Sequence, residues 1–362
     1  MSKKILLVCG LLIGALIMWF GIGWYIKDVI SSTKLEGFKG DLVKVAWSPD
    51  GKILATAAKT DGSIRLWSPD GKLIDTISEP NWYIVYDFAW SPNSQLIAAA
   101  TDNKALSIIN LVNKTKMNLS GHTDLIKSVS WSPNGEILAS GGSYNDKTIR
   151  LWSQNGDPIA ILNGHIDGIP GLAWSPDGKI LASGSGHGKD GTVKVWTETG
   201  ELITTINADQ ANDADSLSWS PDSKILAMSV GENYLGLWSR ETQSFGTIRV
   251  PKIVDCLAWS PDSTKLVGGL IGGTIRVWDR QGKLLVENTR QKDVDQVTWS
   301  PDGQMFASAS SDKTIVIWDS NGNFIQVLQG HTTNVVTISW SPDSTKLASG
   351  SWDRTVRIWK IK

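Results

Sequence analysis

Residues 121–164 read GHTDLIKSVSWSPNGEILASGGSYNDKTIRLWSQNGDPIAILNG, and this stretch decides the fold of the chain. Trp131-Ser-Pro-Asn-Gly135 is a turn sequence that follows a short run of apolar positions, with proline at the position whose φ angle it presets. Three further runs have the pattern of short strands and are separated by turn residues: Glu136–Ser140, Thr148–Trp152 and Pro158–Leu162. The stretch therefore predicts four short antiparallel strands in one sheet.

The turn motif of this stretch recurs along the chain. Trp-Ser-Pro followed by Asp or Asn occurs eight times, 40 to 45 residues apart, starting at Trp47, Trp90, Trp131, Trp174, Trp219, Trp259, Trp299 and Trp340. A period of this length is typical of repeat proteins, in which each unit buries its apolar face only by packing on its neighbours. We therefore expect an all-β protein made of eight four-stranded units, called blades below.

Some positions of the repeat carry polar side chains at one recurring spacing. The complete sets are His122, Ser140, Asp146 and Trp152; His165, Ser183, Asp190 and Trp196; and His331, Ser349, Asp353 and Trp359. With the pairs Gly121-His122, Gly164-His165, Gly330-His331, Trp278-Asp279 and Trp318-Asp319, these sets make the chain resemble the WD-repeat (beta-transducin repeat) family. The resemblance covers Lys34 to the C-terminus. It implies an eight-bladed WD-repeat β-propeller in which each set forms a hydrogen-bonded tetrad.

Other blades depart from this pattern. The first and seventh lack only the histidine, for which they have Phe38 and Arg290. The second, fifth and sixth are degenerate. In the second blade Ile109 replaces the strand tryptophan and Asn103 replaces the turn aspartate. The fifth blade has Met228 and Glu232, and the sixth has Gly268 and Gly272, at positions of the set. We expect the degenerate blades to depend on packing against their neighbours. A seven-bladed ring with a spare unit is the alternative.

The two ends of the repeat region predict how the ring closes. The chain ends at Trp359-Lys-Ile-Lys, after the third strand of the last blade, so that blade needs an outer strand from elsewhere. Residues 28–36 are placed to supply it, which would remove two exposed sheet edges. We therefore expect residues 28–362 to form one propeller domain.

The N-terminal segment has a different character. Residues 5–26 carry no charge, and Lys3, Lys4 and Lys27 flank them. A segment of this length can cross a bilayer as a helix, so residues 1–27 predict a single N-terminal transmembrane helix. A cleaved secretory signal, with Gly21 and Gly23 near the cleavage site, is the alternative. If the segment is retained, we expect a single-pass membrane protein with the propeller on the translocated side.

Each innermost strand should contain a bulge, because apolar residues precede the motif tryptophan by five and by two positions, a spacing of three instead of two. In the family that the chain resembles, the residue four positions before the tryptophan lines the mouth of the central channel. Round the ring this position holds Val43, Tyr86, Lys127, Pro170, Asp215, Asp255, Asp295 and Val336. The three aspartates fall in consecutive blades. They would bind a cation, accept a partner's Lys or Arg, share a proton, or be solvated by channel water.

Aromatic residues cluster in the loops of the same face. We take Trp82, Tyr83, Tyr86, Lys127 and Trp352 as candidate protein-binding residues, because large aromatic side chains are over-represented among interface anchors. Packing on adjacent blades and contact with lipid headgroups are the alternatives for Trp82, Tyr83 and Trp352.

Charge, cysteine content and motifs limit the classes of function that the sequence supports. The formal net charge of −1 provides no basic field for nucleic acid, and the two cysteines give no disulfide framework. The repeats contain no nucleophile elbow, metal-binding triad or nucleotide fingerprint, so we expect no catalytic residue, cofactor or metal ligand. The expected function is a membrane-anchored, non-catalytic scaffold for protein–protein interaction. The alternatives are a cation- or small-ligand-binding sensor or enzyme at the acidic channel mouth, and a structural subunit of a larger membrane complex.

Overall fold

The computed structural model describes residues 31–186, 190–207 and 216–361, and these residues form strands and turns without any helix. Their strands make eight four-stranded sheets, in which each strand runs antiparallel to its neighbours. No helix that could cross a membrane occurs within these ranges, and the predicted transmembrane segment 5–26 lies outside them. The eight sheets are the blades of an all-β propeller, so the seven-bladed alternative is wrong.

Blades 1 to 4 follow one another along the chain, each running from the innermost strand to the outermost. Their strands are β2 (Leu42–Trp47), β3 (Leu54–Ala58), β4 (Ser63–Trp67) and β5 (Leu73–Ser78); β6 (Val85–Trp90), β7 (Leu96–Thr101), β8 (Leu106–Asn110) and β9 (Lys116–Leu119); β10 (Ile126–Trp131), β11 (Ile137–Gly142), β12 (Ile149–Ser153) and β13 (Pro158–Leu162); and β14 (Gly171–Trp174), β15 (Ile180–Gly184), β16 (Thr192–Thr197) and β17 (Leu202–Asn207).

Blades 5 to 8 repeat this order, except that the first strand of the chain is the outermost strand of blade 8. Their strands are β18 (Leu217–Trp219), β19 (Ile225–Val230), β20 (Tyr234–Ser239) and β21 (Ser244–Arg249); β22 (Val254–Trp259), β23 (Lys265–Leu270), β24 (Thr274–Asp279) and β25 (Leu284–Thr289); β26 (Val294–Trp299), β27 (Met305–Ser310), β28 (Ile315–Asp319) and β29 (Phe324–Leu328); and β30 (Val335–Trp340), β31 (Lys346–Ser351), β32 (Val356–Lys360) and β1 (Ser32–Leu35).

The ring is closed by the two ends of the repeat region. Strand β1 pairs with β32, with Ser32 opposite Trp359 and Leu35 opposite Val356. The innermost strand of blade 1, β2, packs on β30 and β31 of blade 8. The closing strand therefore lies within residues 28–36, and every blade contacts two others.

The apolar core lies between the blades. One buried cluster, for example, combines Ala57 and Leu66 of blade 1 with Phe88 and Ile97 of blade 2. The second strand of each blade is almost fully buried, as the all-buried pattern of β3 and β27 illustrates. This arrangement is the physical reason for the repeat, since a single four-stranded sheet has too little apolar area to be stable alone.

The motif tryptophans join neighbouring blades. Six of them donate from indole Nε1 to a backbone carbonyl oxygen of the preceding blade, at the residue just before that blade's own motif tryptophan. The pairs, at 3.1 to 3.2 Å, are Trp90 with Ala46, Trp174 with Ser130, Trp219 with Ala173, Trp259 with Ser218, Trp299 with Ala258, and Trp340 with Thr298. In Trp47 and Trp131 the indole N–H is buried without a partner.

The last residue of the motif turn adds a second link between blades. This residue has a positive φ and is glycine in four blades and serine in four: Gly51, Gly135, Gly178 and Gly303; Ser94, Ser223, Ser263 and Ser344. Each of these serines accepts a hydrogen bond from the motif Asp N–H of the preceding blade, as in Asp222 N to Ser263 Oγ at 3.1 Å. The bond offsets the conformational cost that a non-glycine residue has at positive φ.

Candidate functional site

One end of the propeller carries the loops that lead into the innermost strands and the turns between the second and third strands. We call this end the loop face. Six of the innermost strands begin at this face with a bulge, where the register with the second strand shifts by one residue. The residue at the shift is Val43, Tyr86, Lys127, Asp255, Asp295 or Val336. The expected bulge is therefore present in six blades. Pro170 directly precedes β14, and Asp215 lies outside the described residues.

The aromatic candidates on the loop face differ in exposure. Tyr83 is 69% exposed and Trp352 is 49% exposed, whereas Trp82 is only 4% exposed. Of the alternatives for Trp82, the structure therefore shows packing on adjacent blades and not exposure on the face. Its ring packs in the core between blades 1 and 2, with the ammonium group of Lys116 4.6 Å from the ring centroid.

Trp82 is buried because it fills the place of the histidine in a degenerate blade. It precedes Tyr83, whose N–H donates to Asp102 Oδ1 at 3.0 Å, just as His122 precedes Thr123, whose N–H donates to Asp146. Blade 2 has Ile109 where other blades have a strand tryptophan, and Ile109 belongs to the same cluster as Trp82. The loop tryptophan thus replaces the volume that the strand lacks.

Tyr86 and Lys127 meet across neighbouring blades. The Lys127 Nζ atom lies 4.0 Å from the centroid of the Tyr86 ring, a favourable cation–π arrangement. Burial lowers the pKa of Lys127, and Lys59 adds to this effect while Asp124 opposes it. Burial, with the nearby Asp102 and Asp124 carboxylates, raises the pKa of Tyr86.

Two pockets open on this face. A pocket of about 260 Å³ brings together Val43, Tyr86 and Trp352. A larger one, of about 480 Å³, lies between blades 3 and 4 and is lined by Lys127 and Pro170, among other residues. The structure therefore joins Tyr86 with Trp352 in one pocket and places Lys127 in the other.

The larger pocket includes Tyr144, a residue that the sequence argument missed. Tyr144 is 63% exposed and lies in the turn between β11 and β12. A signal for it exists in the sequence, because six positions separate Ser140 from Asp146, whereas four separate Ser349 from Asp353. The two extra residues lengthen this turn beyond its equivalent in blade 8.

The acidic part of the face contains Asp255 and Asp295 in neighbouring blades. Burial, followed by the charges of Asp255 and Asp293, raises the pKa of Asp295 to about 7. Its Oδ2 atom is buried without a hydrogen-bond donor. In the part of the chain that the structure describes, no group of three or more His, Cys, Asp or Glu side chains is placed to hold a metal ion.

The three complete tetrads are hydrogen-bonded inside their blades. In blade 3, His122 Nε2 lies 2.8 Å from Ser140 Oγ, Trp152 Nε1 donates to the same oxygen at 2.9 Å, and His122 Nδ1 lies 3.1 Å from Asp146 Oδ1. The same contacts join the other two sets: His165, Ser183, Asp190 and Trp196; His331, Ser349, Asp353 and Trp359. These residues hold the loops of the loop face.

The tetrad carboxylates titrate far from their usual range. Burial alone would raise the pKa of Asp146, but hydrogen bonds from the Thr148 hydroxyl and the Thr123 N–H hold it well below its usual value. Burial lowers the pKa of His122, and the nearby Asp146 carboxylate only partly offsets this effect.

In blade 7 the histidine is replaced by Gln291, and not by Arg290 as the spacing of the repeat predicts. The Gln291 Oε1 atom accepts a hydrogen bond from Ser308 Oγ, and Trp318 Nε1 donates to the same hydroxyl at 2.8 Å. Arg290 instead stacks on the Phe324 ring, with its guanidinium carbon 4.4 Å from the centroid. In blade 1, Phe38 packs on Trp67, whose Nε1 donates to Thr56 Oγ1 at 2.9 Å.

Comparison with known families agrees with this architecture. The family model described as WD domain, G-beta repeat matches seven segments, which together cover more than half of the chain: residues 30–68, 71–110, 113–153, 156–197, 243–279, 283–319 and 322–360. The unmatched stretch, 198–242, contains the first three strands of blade 5, one of the degenerate blades.

Two relatives of this chain each match more than a third of its length. The WD repeat-containing protein SL1-17 of Schistosoma mansoni is 32% identical over 36% of this chain and 42% of its own length. The small ribosomal subunit protein RACK1y of Oryza sativa subsp. japonica is 32% identical over 37% of this chain and 40% of its own length. The matched region therefore spans about two fifths of each relative.

A solved structure supports the fold over a longer range. The crystal structure of the computationally designed Ika8 protein aligns with a TM-score of 0.78, covering 91% of this chain and 98% of that chain. At 23% sequence identity this likeness shows the fold alone. The seven family matches, which agree with the tetrads and the ring of blades, show that this chain belongs to the WD-repeat family.

Proposed function

We propose that this protein is a non-catalytic scaffold that binds other proteins through the loop face. The observation that carries the proposal is the exposure of Tyr83, Tyr144 and Trp352 on one face, beside two pockets. Exposed aromatic side chains next to preformed pockets are typical of protein-interaction sites. WD-repeat propellers generally bind proteins, and the rice relative is by name a component of a larger assembly, the small ribosomal subunit.

The test is purification of the tagged full-length protein in mild detergent, with mass spectrometry of the proteins that accompany it. We expect a stoichiometric companion that is lost when Tyr83→Ala and Trp352→Ala are combined. The matched control is Ile161→Ala, an exposed apolar residue on outer strand β13. A companion that survives the double change would move the interface away from these residues, and no companion at all would contradict the scaffold.

We also propose that residues 5–26 anchor the protein in a membrane as one helix, with the propeller on the translocated side. The absence of charge over these 22 residues supports this proposal. Alkaline carbonate extraction of membranes tests the anchor, and protease protection of intact vesicles tests the side. Release of the full-length protein by carbonate would overturn the anchor.

The second candidate function is binding of a cation or small ligand at the acidic part of the face. It is favoured by Asp295, whose pKa is raised to about 7 by burial and by the charges of Asp255 and Asp293. A bound cation would relieve this repulsion. A Ca²⁺-dependent increase in melting temperature that is lost in Asp255→Ala would support it, and equal melting with and without Ca²⁺ would count against it.

A further inference from the structure

The larger pocket on the loop face has walls contributed by two blades. Ser143 and Tyr144 come from the long turn of blade 3, and Asp167, Gly168 and Pro170 come from the loop that enters blade 4. Its volume of about 480 Å³ falls in the range of pockets that bind ligands. The pocket at the equivalent place near blade 1 is about half as large.

Backbone hydrogen bonds hold these walls in place without a ligand. Ile169 N donates to Gly142 O at 2.9 Å, and Gly186 N donates to Gly168 O at 3.1 Å. The loop also comes so close to the turn that a Cβ atom on Gly168 would lie 2.9 Å from Tyr144 N. The pocket is therefore preformed, which lowers the entropic cost of binding.

Apolar surface dominates the pocket and its rim. Tyr144 and Pro170 line it, and Ile166, next to Asp167 in sequence, is 58% exposed. Such a concave site beside exposed apolar residues suits a large apolar side chain inserted from a polypeptide, with the flanking backbone lying over the rim. A small solute would leave the exposed rim uncovered.

The charged groups around the pocket favour an anion next to that side chain. Lys127 has no carboxylate within ion-pair distance among the described residues, and its ammonium group lies over the Tyr86 ring. Asp124 accepts hydrogen bonds from Ser143 Oγ and Asn145 Nδ2, and Asp167 accepts one from the N–H of Gly168 at 2.7 Å. Among the described residues neither Lys127 nor Asp167 has an opposite charge in contact, but one oxygen of Asp167 already accepts the Gly168 N–H, whereas the Lys127 ammonium group lies over the Tyr86 ring and can still pair with an anion.

We propose that this pocket, between blades 3 and 4, binds a protein segment that inserts an aromatic side chain beside Tyr144 and Pro170 and places a neighbouring carboxylate next to Lys127. This inference rests on the proposed scaffold function and specifies the chemistry of the partner. The occupant is a short acidic-aromatic segment of another protein.

Selection from a phage-displayed library of random twelve-residue peptides tests this assignment, with the full-length protein held in detergent micelles as the target. We expect the selected peptides to share an aromatic residue with Asp or Glu within three positions. Lys127→Glu should reverse the charge preference toward Lys or Arg. Tyr144→Ala should weaken binding of the best wild-type peptide at least tenfold, measured with synthetic peptide.

Two controls match these changes. Lys252→Glu makes the same change of charge in the loop before blade 6, and Tyr234→Ala removes an exposed tyrosine at the start of β20 in blade 5. Both should bind the selected peptide as the wild type does. The same charge preference in wild type and Lys127→Glu, or no peptide enriched over the Tyr144→Ala protein, would overturn the proposal. Equally tight binding of free 4-hydroxyphenylacetate would also overturn it in favour of a small-ligand site.

The scaffold and the pocket can fail separately. A companion lost with Tyr83→Ala and Trp352→Ala but kept with Lys127→Glu and Tyr144→Ala would leave the scaffold standing and remove this pocket from it. Absence of any companion, together with absence of selected peptides, would remove both.

Discussion

The Ser140 hydroxyl is the centre of the tetrad in blade 3, because both His122 Nε2 and Trp152 Nε1 reach it inside the sheet. Ser140→Ala would leave these two buried polar groups without that partner, and an unsatisfied buried group costs about 1–3 kcal/mol. We expect a loss of unfolding free energy of this size, measured by urea denaturation with tryptophan fluorescence. Ser140→Thr keeps a hydroxyl at this position, as Thr56 does for Trp67 in blade 1, and should cost less. Equal losses for the two variants would contradict a role for the hydroxyl.

Asp295 makes the stability of the propeller depend on pH. Its pKa in the folded protein is about 7, above the ordinary aspartate value of 3.8, so the folded state holds this proton more tightly than the unfolded state does. Stability should therefore fall as pH rises from about 4 to 7, where the folded protein must ionise a shielded carboxylate. After allowance for screening by solvent, we expect Asp295→Asn to stabilise the protein by about 1 kcal/mol at pH 8 and by little at pH 4.

Melting curves of this variant at several pH values check the prediction. Glu241→Gln, at an exposed position, removes one negative charge away from the cluster and serves as the control. A stabilisation by Asp295→Asn that does not change between pH 4 and pH 8 would contradict the raised pKa.

Individual residues were predictable where the repeat keeps its spacing. The three tetrads follow from the sequence because each histidine lies nine positions before the motif tryptophan. The same spacing does not identify Trp82 and Gln291 as the residues at the histidine position, because they lie eight positions before the motif tryptophan. Their loops are one residue shorter than those of the complete tetrads. The burial of Trp82 depends on the space that the smaller side chain of Ile109 leaves in the folded blade. The residues next to Trp82 in sequence do not indicate this space.

At the scale of the element, the innermost strands are held to each other by the motif tryptophans. Trp174 and Trp131 are equally buried, but only Trp174 has a partner for its indole N–H, the carbonyl oxygen of Ser130. Replacement by Phe removes the N–H and keeps an aromatic ring. We expect Trp174→Phe to cost about 1 kcal/mol more than Trp131→Phe, the net worth of one hydrogen bond.

Equilibrium unfolding in guanidinium chloride measures this difference directly, with each variant compared against the wild type. The two replacements share the loss of ring volume, so their difference isolates the link between blades 3 and 4. Equal costs would show that packing of the ring, and not the hydrogen bond, makes the motif tryptophan important.

The strands and their bulges could be predicted from the sequence, because apolar spacing and turn residues are local. The spacing of three between Val254 and Leu257 requires an extra residue, and the register of β22 with β23 shifts at Asp255, between Val254 and Cys256. The pocket beside Tyr144 was not predicted, since it depends on how the turn of blade 3 and the loop entering blade 4 approach each other. The longer turn indicates a difference between repeats without showing what it encloses.

At the scale of the whole molecule, closure depends on four residues of β1. Leu35 is buried in the cluster formed by blades 8 and 1, with Leu42, Val356 and Ile358. Leu35→Ala should lower the free energy of unfolding by about 2–5 kcal/mol, because it removes buried apolar volume at the closure. Thr33→Ala, at an exposed position of the same strand, should cost much less.

Thermal unfolding followed by circular dichroism and by tryptophan fluorescence tests this prediction. If the closed ring is one cooperative unit, the two probes should report the same transition in wild type and in Leu35→Ala. A destabilisation by Leu35→Ala no larger than that by Thr33→Ala would show that β1 contributes little to the ring.

The number of blades followed from the repeat period, because eight motifs each require a sheet. The position of the closing strand followed from counting strands, since the last repeat has only three of its own. The repeats share the residues that stabilise the fold, but they differ in the loops that meet across blades. The chemistry of the loop face was therefore only partly predictable from the sequence.

The closing strand also determines how the protein would respond to mechanical load. In blades 1 to 7 the outermost strand continues from its neighbour through a short turn, whereas β1 is held to β32 only by pairing and by the side chains behind it. Tension applied to the chain before Ser32 would therefore act first on this four-residue joint. The pairing of β1 with β32 would therefore separate first, and the ring would open there before force reaches the hairpins of the other seven blades.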